Sequence, residues 1–222
     1  GTLKAKEKKN FVFLNISTDE VFGSLNLSSM PSTENSPFRP NSPYSASKAA
    51  ADHLVRSYFK SYDLPSITTH CSNNFGPYQN EEKFIPKIIK NSLNWQKIPI
   101  YGTGKNIRDW IFVKDHCNAI IKILESGRAG ESYNIGASNE VSNIFLAKLI
   151  CSKLNKICPH HNGPYELLIS HVKDRPGHDV RYSIDSSKLK NSLDWHTSEP
   201  FDQSLHSTIE WYLNKFRSLK KL

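Results

Sequence analysis

Residues 11–23 read FVFLNISTDEVFG, an apolar and β-branched run that ends in hydroxyl and carboxyl side chains. The apolar part predicts a buried parallel strand over residues 11–17. Its polar end comprises Ser17, Thr18, Asp19 and Glu20. Because Ser, Thr and Asp favour turns and caps, these side chains are compatible with a strand that simply ends in a turn. Open α/β sheets also place ligands at the carboxyl ends of strands, so the rest of the chain has to decide between a turn and a site.

Strands and helices alternate along the remaining sequence. A long loop rich in Ser, Asn and Pro is predicted at 24–43, and a second loop at 72–81. Apolar periodicity predicts helices at 44–62, 82–94, 115–126, 142–155, 186–193 and 202–216, and strands at 65–71, 97–101, 107–113, 132–136 and 165–172. This alternation predicts an α/β fold built on parallel strands.

The composition is that of a soluble globular protein. Of the 222 residues, 37% are apolar and 23% are charged. No apolar run approaches the about 18 residues needed to span a bilayer, and the basic segment 1–10 lacks the apolar core of a signal peptide, so no membrane partner is predicted. The scattered cysteines, with no C-x-x-C motif, predict reduced thiols and a cytoplasmic location; they are Cys71, Cys117, Cys151 and Cys158. The CPHH sequence at 158–161 has no second ligand pair at a zinc spacing, and no metal site is predicted.

A net charge of +8 favours an anionic partner. The lysines are spread along the chain apart from a run at each end, and the sequence contains neither a basic patch interleaved with aromatic residues nor a helix-turn-helix pattern. A phosphate-bearing small molecule is therefore a better prediction than a nucleic acid.

The segment PYSASK at 43–48 places Tyr44 and Lys48 four residues apart at the start of a predicted helix. Side chains at this spacing share one helix face. A Tyr phenol has an ordinary pKa of about 10, and a neighbouring ammonium group stabilises the phenolate and lowers that pKa. Tyr44 is therefore a candidate base near neutral pH, although helices also produce this spacing by chance.

Six segments of the chain carry a family resemblance when they are taken together and in order. They are ISTDEVFG, SPYSASKAAADHLVRSY, SNNFGPYQNEEKFIPKII, PIYGTGKNIRDWIFVKDH, GESYNIGASNEVSN and DRPGHDVRYSID. They resemble the extended short-chain dehydrogenase/reductase superfamily and, within it, the dTDP-glucose 4,6-dehydratases. The resemblance extends from residue 11 to residue 212.

The resemblance implies a Rossmann-like parallel sheet with helices on both faces, plus a smaller α/β substrate-binding domain. Residues 1–75 would be the remainder of the NAD-binding domain, and residues 76–222 mainly the nucleotide-sugar-binding domain, with some segments returning to the first. It also implies NAD as cofactor, dTDP-glucose as substrate and a homodimer in the full-length protein. In such dehydratases the sugar is oxidised at C4, water is eliminated across C5 and C6, and the hydride returns to C6.

Catalytic roles carry over to the matching positions. Asp19 would be the acid for the departing C6 hydroxyl, and Glu20 the base for the C5 proton. Thr18 would hydrogen-bond the C4 oxygen, Tyr44 would remove its proton, and Lys48 would tune Tyr44 and bind the nicotinamide ribose. Adjacent carboxylates with different pKa values can take opposite roles at one pH. On this interpretation the polar end of the opening segment is a catalytic site.

The remaining motifs imply binding residues. Ser17 would pack beside the nicotinamide, and Asn74 would contact the cofactor together with Tyr44 and Lys48. The nucleotide sugar would be approached by Asn73, Lys83 and Phe84, enclosed at its base by Pro99, Ile100 and Tyr101, and held at its diphosphate and deoxyribose by Arg108, Asn143, Arg175 and His178. Arginine suits planar, bidentate contacts to oxyanions. Singly, these motifs have ordinary explanations, since GTGKNIRDW also fits a hairpin and DRPGHD a Pro-Gly turn.

The sequence departs from the family at its start. A dinucleotide-binding fold opens with a strand, a glycine-rich phosphate loop and a helix, and none of the 10 glycines forms that motif. The chain is therefore expected to begin inside the cofactor domain, with on the order of 100 family residues before it. Segment 1–10 looks shortened, and Phe22 and Phe75 stand where the family usually has Tyr.

Two other functions stay open on the sequence alone. An epimerase or decarboxylase of the same superfamily needs the Tyr and Lys but no acid–base carboxylate pair, so Asp19 and Glu20 favour the dehydratase. The missing glycine motif instead favours a catalytically silent nucleotide-sugar-binding fragment.

Overall fold

A computed structural model of the protein describes residues 11–219, so the predictions made for segment 1–10 lie outside the described residues. The strands are β1 (Phe13–Thr18), β2 (Ser66–Cys71), β3 (Asn73–Phe75), β4 (Ile98–Tyr101), β5 (Ile107–Phe112), β6 (Ser132–Ile135), β7 (Glu140–Ser142) and β8 (Ile169–Val172). The helices are α1 (Pro43–Tyr62), α2 (Phe84–Leu93), α3 (Val113–Ser126), α4 (Asn143–Ile157), α5 (Ser187–Leu193) and α6 (Phe201–Leu219). The predicted α/β fold is confirmed.

Three parallel strands form the sheet that carries the strand end of the opening segment. Their order is β1-β2-β6. In the register, Thr18 lies opposite Cys71, and Cys71 lies opposite Ile135, so the carboxyl ends of all three strands are level. The side chains that follow Thr18 therefore emerge at the edge where open α/β sheets bind their ligands.

Strand β1 is less buried than its apolar sequence predicts. Its last residues, Ser17 and Thr18, are buried, but Phe13 and Ile16 are 42% and 45% exposed. The reason is the position of β1 in the sheet, because within residues 11–219 it pairs with β2 alone. The prediction of a buried strand is wrong for the first half of β1.

Two smaller sheets complete the strands. Strand β5 pairs parallel with β3 but antiparallel with β7, and β4 pairs parallel with β8. Strand β3 lies inside the predicted loop 72–81, and β7 was not predicted at all. The predicted strand at 165–172 begins as a 3₁₀ turn, Tyr165–Leu168, before it becomes β8.

Helix α1 begins where its sequence provides a cap and ends where the backbone reverses. The Ser42 hydroxyl accepts from the amide of Ser45, the Ser45 hydroxyl accepts from the amide of Ser42, and Pro43 occupies the first turn. The helix ends at Asp63, whose φ of 51° is left-handed. The cap fixes the entry of the chain into α1, and Tyr44 is the second residue of that helix.

The first part of the long loop between β1 and α1, residues 24–32, is held by residues 180–185. The amides of Leu25 and Ser32 donate to the carbonyls of Arg181 and Ser183, and the Ser32 carbonyl accepts from the amide of Asp185. The Arg181 guanidinium adds hydrogen bonds to the carbonyls of Asn26 and Ser29, and it forms an ion pair with Glu140 on β7. This part of the loop is thus paired with the C-terminal half of the chain.

Three hydrophobic clusters hold the described elements together, and the smallest packs Val21 and Phe22 against Ala49 of α1 and Ile184. An extensive one involves helices α2, α4 and α6 with strands β4 and β5, and a second packs β2 and β6 against α3 and α5. The division into domains at residue 75 stays a prediction. In the described part of the chain, no helix combines the length and apolar character needed to cross a membrane.

Candidate active site

The carboxylate pair lies in a turn that directly continues β1. A 3₁₀ turn spans Asp19–Phe22, and its second amide is capped because the Thr18 hydroxyl accepts from the amide of Glu20 at 3.3 Å. The turn closes at Gly23, which has a φ of +79°. A Cβ there would lie 2.1 Å from the carbonyl oxygen of Arg39, so only glycine fits.

Asp19 is 3% exposed, and burial is the main reason that its pKa is raised to about 8. The charges of Glu20 and of the buried Asp109 raise it further. Its Oδ1 accepts from the Thr18 hydroxyl at 3.3 Å, whereas Oδ2 has no hydrogen-bond partner among residues 11–219. Asp19 therefore carries a proton at neutral pH, as an acid catalyst must.

Glu20 is partly buried, and that burial raises its pKa. The positive charges of Arg108 and Arg175 act in the opposite direction, as does Lys83. These three cations come from separate segments, and all three had been predicted to contact the substrate. The structure thus brings the predicted base and three predicted substrate residues within electrostatic reach of one another.

Tyr44 faces the carboxylates, but its pKa does not move as the sequence predicted. Partial burial raises that pKa, and the charges of Glu20, Cys71 and Asp19 raise it further. The Lys48 ammonium group donates instead to the carbonyl of Ile16 at 2.7 Å. The predicted lowering of the Tyr44 pKa is therefore wrong for this structure, because burial and neighbouring negative charge both raise the pKa.

Ser17 points away from the carboxylates. Its hydroxyl donates to Oδ2 of the buried Asp52 on α1 at 2.8 Å. Successive strand residues face opposite sides of a sheet, so Ser17 and Asn15 share the side covered by α1. Asn15 also donates to Asp52, at 2.6 Å. The hydroxyl of Ser17 is thus engaged on the helix side, and its predicted position beside the nicotinamide stays a prediction.

Arg108 is a buried guanidinium held in a fixed position. It is 4% exposed and donates to the carbonyls of Ile107 at 2.7 Å and Asp179 at 2.9 Å. Its carbon Cζ lies 4.3 Å from the ring centroid of Tyr182. Burial lowers its pKa, and the charge of Asp19 opposes that effect. Such an arginine presents its remaining donors as a rigid fork for an oxyanion.

Arg175 and His178 stand on the segment after β8. The Arg175 guanidinium lies 5.9 Å from the ring centroid of Tyr101, which is itself 45% exposed on β4. His178 Nδ1 is 2.7 Å from Asp174 Oδ1, and its buried Nε2 has no partner in the part of the chain that the structure describes. Burial lowers the His178 pKa, so the ring is neutral, its Nδ1 proton faces Asp174, and Nε2 is left as an acceptor.

The other predicted substrate residues lie nearby with different accessibilities. Lys83 precedes α2 and is exposed, and Phe84 stacks on Trp110 at 6.2 Å. Ile100 is 1% exposed within the hydrophobic core, so it has only its backbone to offer a nucleobase. The half-buried predicted residues are Asn73, Asn74, Pro99 and Asn143. The Asn74 amide donates to the Ser72 carbonyl at 3.2 Å, and within residues 11–219 its Oδ1 is unpartnered.

Sequence reasoning missed four residues that shape this site. Tyr182 donates to Asp179 and underlies Arg108, while Cys71 and Asp109 add to the charge environment of Tyr44 and Asp19. Tyr182 and Asp179 belong to the segment DVRYSID, which had been noticed as part of a motif without roles for these two positions.

Two features lie apart from the carboxylates. A cavity of about 560 Å³ is lined by Asp52, His70 and Lys188, among other residues. His160 of the CPHH segment stacks on Trp95 at 4.3 Å. Across residues 11–219, no group of three or more His, Cys, Asp or Glu side chains is placed to hold a metal ion.

One family model and several known proteins match most of this chain. The family model described as GDP-mannose 4,6 dehydratase matches residues 2–208. The chain is 51% identical over 204 residues to dTDP-glucose 4,6-dehydratase of Xanthomonas campestris pv. campestris, covering 91% of this chain and 58% of that protein. It is 50% identical over 215 residues to the enzyme of the same name from Haemophilus influenzae, covering 96% of this chain and 64% of that protein. The chain thus spans less than two thirds of the length of these relatives.

A solved structure agrees. The dTDP-glucose 4,6-dehydratase of Bacillus anthracis in complex with NAD superposes with a TM-score of 0.84 at 45% identity, covering 92% of this chain and 62% of that one. The predicted Rossmann-like arrangement is confirmed by this similarity.

Proposed function

Because the chain belongs to the GDP-mannose 4,6 dehydratase family, we propose that it carries the catalytic centre and the nucleotide-sugar site of an NAD-dependent dTDP-glucose 4,6-dehydratase. The product of this reaction is dTDP-4-keto-6-deoxyglucose. The reaction is a step in deoxysugar biosynthesis. The relatives at 51% and 50% identity, both named as this dehydratase, support the choice of substrate.

The carboxylate pair is the observation that carries the proposal. Loss of water across C5 and C6 needs a proton donor at the C6 hydroxyl and an acceptor at C5. Asp19 is buried, with a pKa raised to about 8, so it holds the proton. Glu20 is surrounded by Arg108 and Arg175, whose charges oppose the rise caused by its burial, and it accepts the proton. An epimerase needs no such pair.

Oxidation at C4 assigns roles to the residues beside the pair. Thr18 hydrogen-bonds the C4 oxygen, and Tyr44 removes the proton from it. The raised pKa of Tyr44 disfavours its phenolate as long as the carboxylates are the nearest charges. The Lys48 ammonium group has three N–H donors, and one of them is bonded to the Ile16 carbonyl. Lys48 can therefore act on the Tyr44 oxygen when the sugar is bound.

The residues available for a dinucleotide fit its nicotinamide ribose end. Tyr44 is 55% exposed, Lys48 has free donors, and the buried Asn74 Oδ1 awaits a donor, since residues 11–219 supply none. Tyr44, Lys48 and Asn74 would hold the nicotinamide ribose end of NAD, which would supply hydride acceptance at C4 and hydride return to C6. The chain's own residues hold the sugar and move the protons.

The nucleotide part binds where the basic residues converge. Arg108 and Arg175 face the diphosphate, and Nε2 of His178, which has no partner within residues 11–219 and is an acceptor when Nδ1 donates to Asp174, is available to a hydroxyl of the deoxyribose. Tyr101, stacked with Arg175, and Pro99 border the thymine, with Ile100 contributing backbone only. Lys83 and Phe84 close the sugar side, and Asn73 and Asn143 complete the polar contacts.

Homodimer formation and a cytoplasmic location are further parts of the proposal. The apolar side chains of Leu54 and Tyr58 on α1 are 61% and 52% exposed, a surface that a second copy would cover. The four cysteines are free, as expected for a reducing compartment. Light scattering of the full-length protein measures the dimer directly.

The deciding experiment compares Glu20→Gln with Glu125→Gln, the same chemical change at an exposed residue of α3. In the full-length protein, Glu20→Gln should abolish both water loss and solvent deuterium incorporation at C5, while dTDP-glucose binding and C4 oxidation persist. Glu125→Gln should behave as the wild type. Full turnover by Glu20→Gln would refute the assignment, and a wild-type protein that binds dTDP-glucose without turnover would support a silent binding fragment.

A further inference from the structure

A buried carboxylate on α1 takes no part in the chemistry proposed above. Asp52 is 5% exposed. Tyr44, Lys48 and Asp52 follow one another at intervals of four residues and therefore share one face of the helix. The face that presents Tyr44 to the carboxylates also presents Asp52 to the sheet.

Three side chains from two strands converge on this carboxylate. Asn15 Nδ2 donates to Oδ1 at 2.6 Å, and Ser17 Oγ donates to Oδ2 at 2.8 Å. His70 Nε2 lies 3.3 Å from Oδ2. A buried carboxylate is costly unless such donors satisfy it, and bonds to a charged acceptor are stronger than neutral ones. Asp52 thus cross-links α1 to β1 through two hydrogen bonds, and His70 of β2 lies beside it without forming a hydrogen bond to a residue within 11–219.

The cross-link lies directly before the catalytic turn. Ser17 and His70 are opposite each other in the β1–β2 register, one residue before Thr18 and Cys71. Lys48 adds its bond to the Ile16 carbonyl at 2.7 Å. Helix α1 is therefore fastened to three consecutive residues of β1, and the next residue of the strand is Thr18.

We propose that Asp52 is a positioning residue that fixes α1 along β1 and thereby sets the place of Tyr44 relative to Thr18, Asp19 and Glu20. The proposal rests on the proposed function, because only that function gives the distance from Tyr44 to Thr18 and the carboxylates a catalytic meaning. Misplacing a catalytic group by about 1 Å can cost on the order of 100-fold in rate. The cavity of about 560 Å³ bordered by Asp52 and His70 leaves α1 room to shift when the cross-link is weakened.

The test replaces Asp52 with Asn and uses Asp63→Asn, at the exposed end of the same helix, as the matched control. The ring carbons of tyrosine are labelled for NMR, and the Tyr44 signal is assigned as the one that disappears in Tyr44→Phe. The titration of the Tyr44 phenol is then followed in the 222-residue chain. Asp52→Asn should lower the Tyr44 pKa toward its ordinary 10.0, because the phenol moves away from Glu20 and Asp19. Asp63→Asn should leave it unchanged.

Turnover provides a second reading. In the full-length protein, Asp52→Asn should lower kcat by about 10-fold or more while KM for dTDP-glucose stays within about two-fold. A Tyr44 titration equal to that of the wild type would overturn the proposal. If Asp52→Asn does not fold, Asn15→Ala, which removes one donor and keeps the carboxylate, is measured in its place with the same criterion. Should the wild type show no turnover, the proposed function fails while the Tyr44 titration still decides the role of Asp52.

Discussion

Asp19 and Glu20 are neighbours in the chain, yet their surroundings separate their chemistry. Asp19 is enclosed by the turn, the buried Asp109 lies among the charges that act on it, and its pKa is raised to about 8. Glu20 turns toward the cations of Arg108 and Arg175. The sequence supplies two identical functional groups, and their different burial and charge surroundings are what the proposed donor and acceptor roles require.

The pH dependence of turnover should report the proton on Asp19. That proton is lost as the pH rises through about 8, so kcat should fall on the alkaline side. Asp19→Asn, whose amide is no acid, should lose elimination at every pH while still binding nucleotide sugar. Steady-state kinetics across the pH range measures the alkaline limb. A wild-type kcat that stays constant well above pH 8 would contradict this role.

Stability should follow the same group. The native pKa of Asp19 is raised above its ordinary 3.8, so the native state keeps a proton that the unfolded chain releases. The free energy of unfolding should therefore decrease as the pH rises from about 4 to about 8. Asp19→Asn removes this pH-dependent loss. The free energy of unfolding of the variant minus that of the wild type, measured by urea denaturation, should therefore be larger at pH 8 than at pH 4. An equal difference at both pH values would argue against a buried, protonated Asp19.

At the scale of the elements, sequence reasoning succeeded where a pattern was long. Helix α1 was predicted at 44–62 because its apolar face repeats over five turns, and it spans Pro43–Tyr62. Strands β3 and β7 have three residues each, too few to show a period of two. The exposure of β1 depends on which strands flank it, which local sequence does not encode.

The site shows the same limits. The motifs brought together Asp19, Glu20, Tyr44 and the arginines, but they gave no direction for Ser17 or for the Lys48 ammonium group. Alternation along β1 was sufficient to place Ser17 and Thr18 on opposite sides, once the strand was known. The pKa of Tyr44 depends on charges from residues distant in sequence, Cys71 among them, and required the fold.

The turn after β1 should be intolerant of any side chain at Gly23. Gly23→Ala places a Cβ 2.1 Å from the Arg39 carbonyl at a φ of +79°, so the turn must open. Left-handed strain alone costs about 1–3 kcal/mol, and the displaced turn carries both carboxylates. Both the Tm of thermal unfolding and the turnover rate should decrease. Leu27→Ala, at a residue 68% exposed in the same loop, should affect neither. Unchanged turnover in Gly23→Ala would show that the turn geometry is dispensable.

For the whole molecule, the two ligands should differ in how far they depend on residues beyond this chain. The sequence contains no glycine-rich phosphate loop, from which most dinucleotide affinity derives. Calorimetry of the 222-residue chain should therefore detect weak NAD binding. Binding of dTDP should persist, because Arg108, Arg175 and His178 are all described here. Tight NAD binding by this chain would show that other residues replace the glycine loop.

The pairing of residues 24–32 with residues 180–185 has a practical consequence for handling the protein. Long segments without helix or strand are usually the first to be cut by proteases, because their backbone can be drawn into a protease cleft. Here the amides of Leu25 and Ser32 already donate to backbone carbonyls of residues 181 and 183, and the Arg181 guanidinium donates to the carbonyls of Asn26 and Ser29. Residues 24–32 therefore present a backbone that is largely bonded already, and we expect this part of the loop to resist nicking as long as the C-terminal half of the chain stays folded.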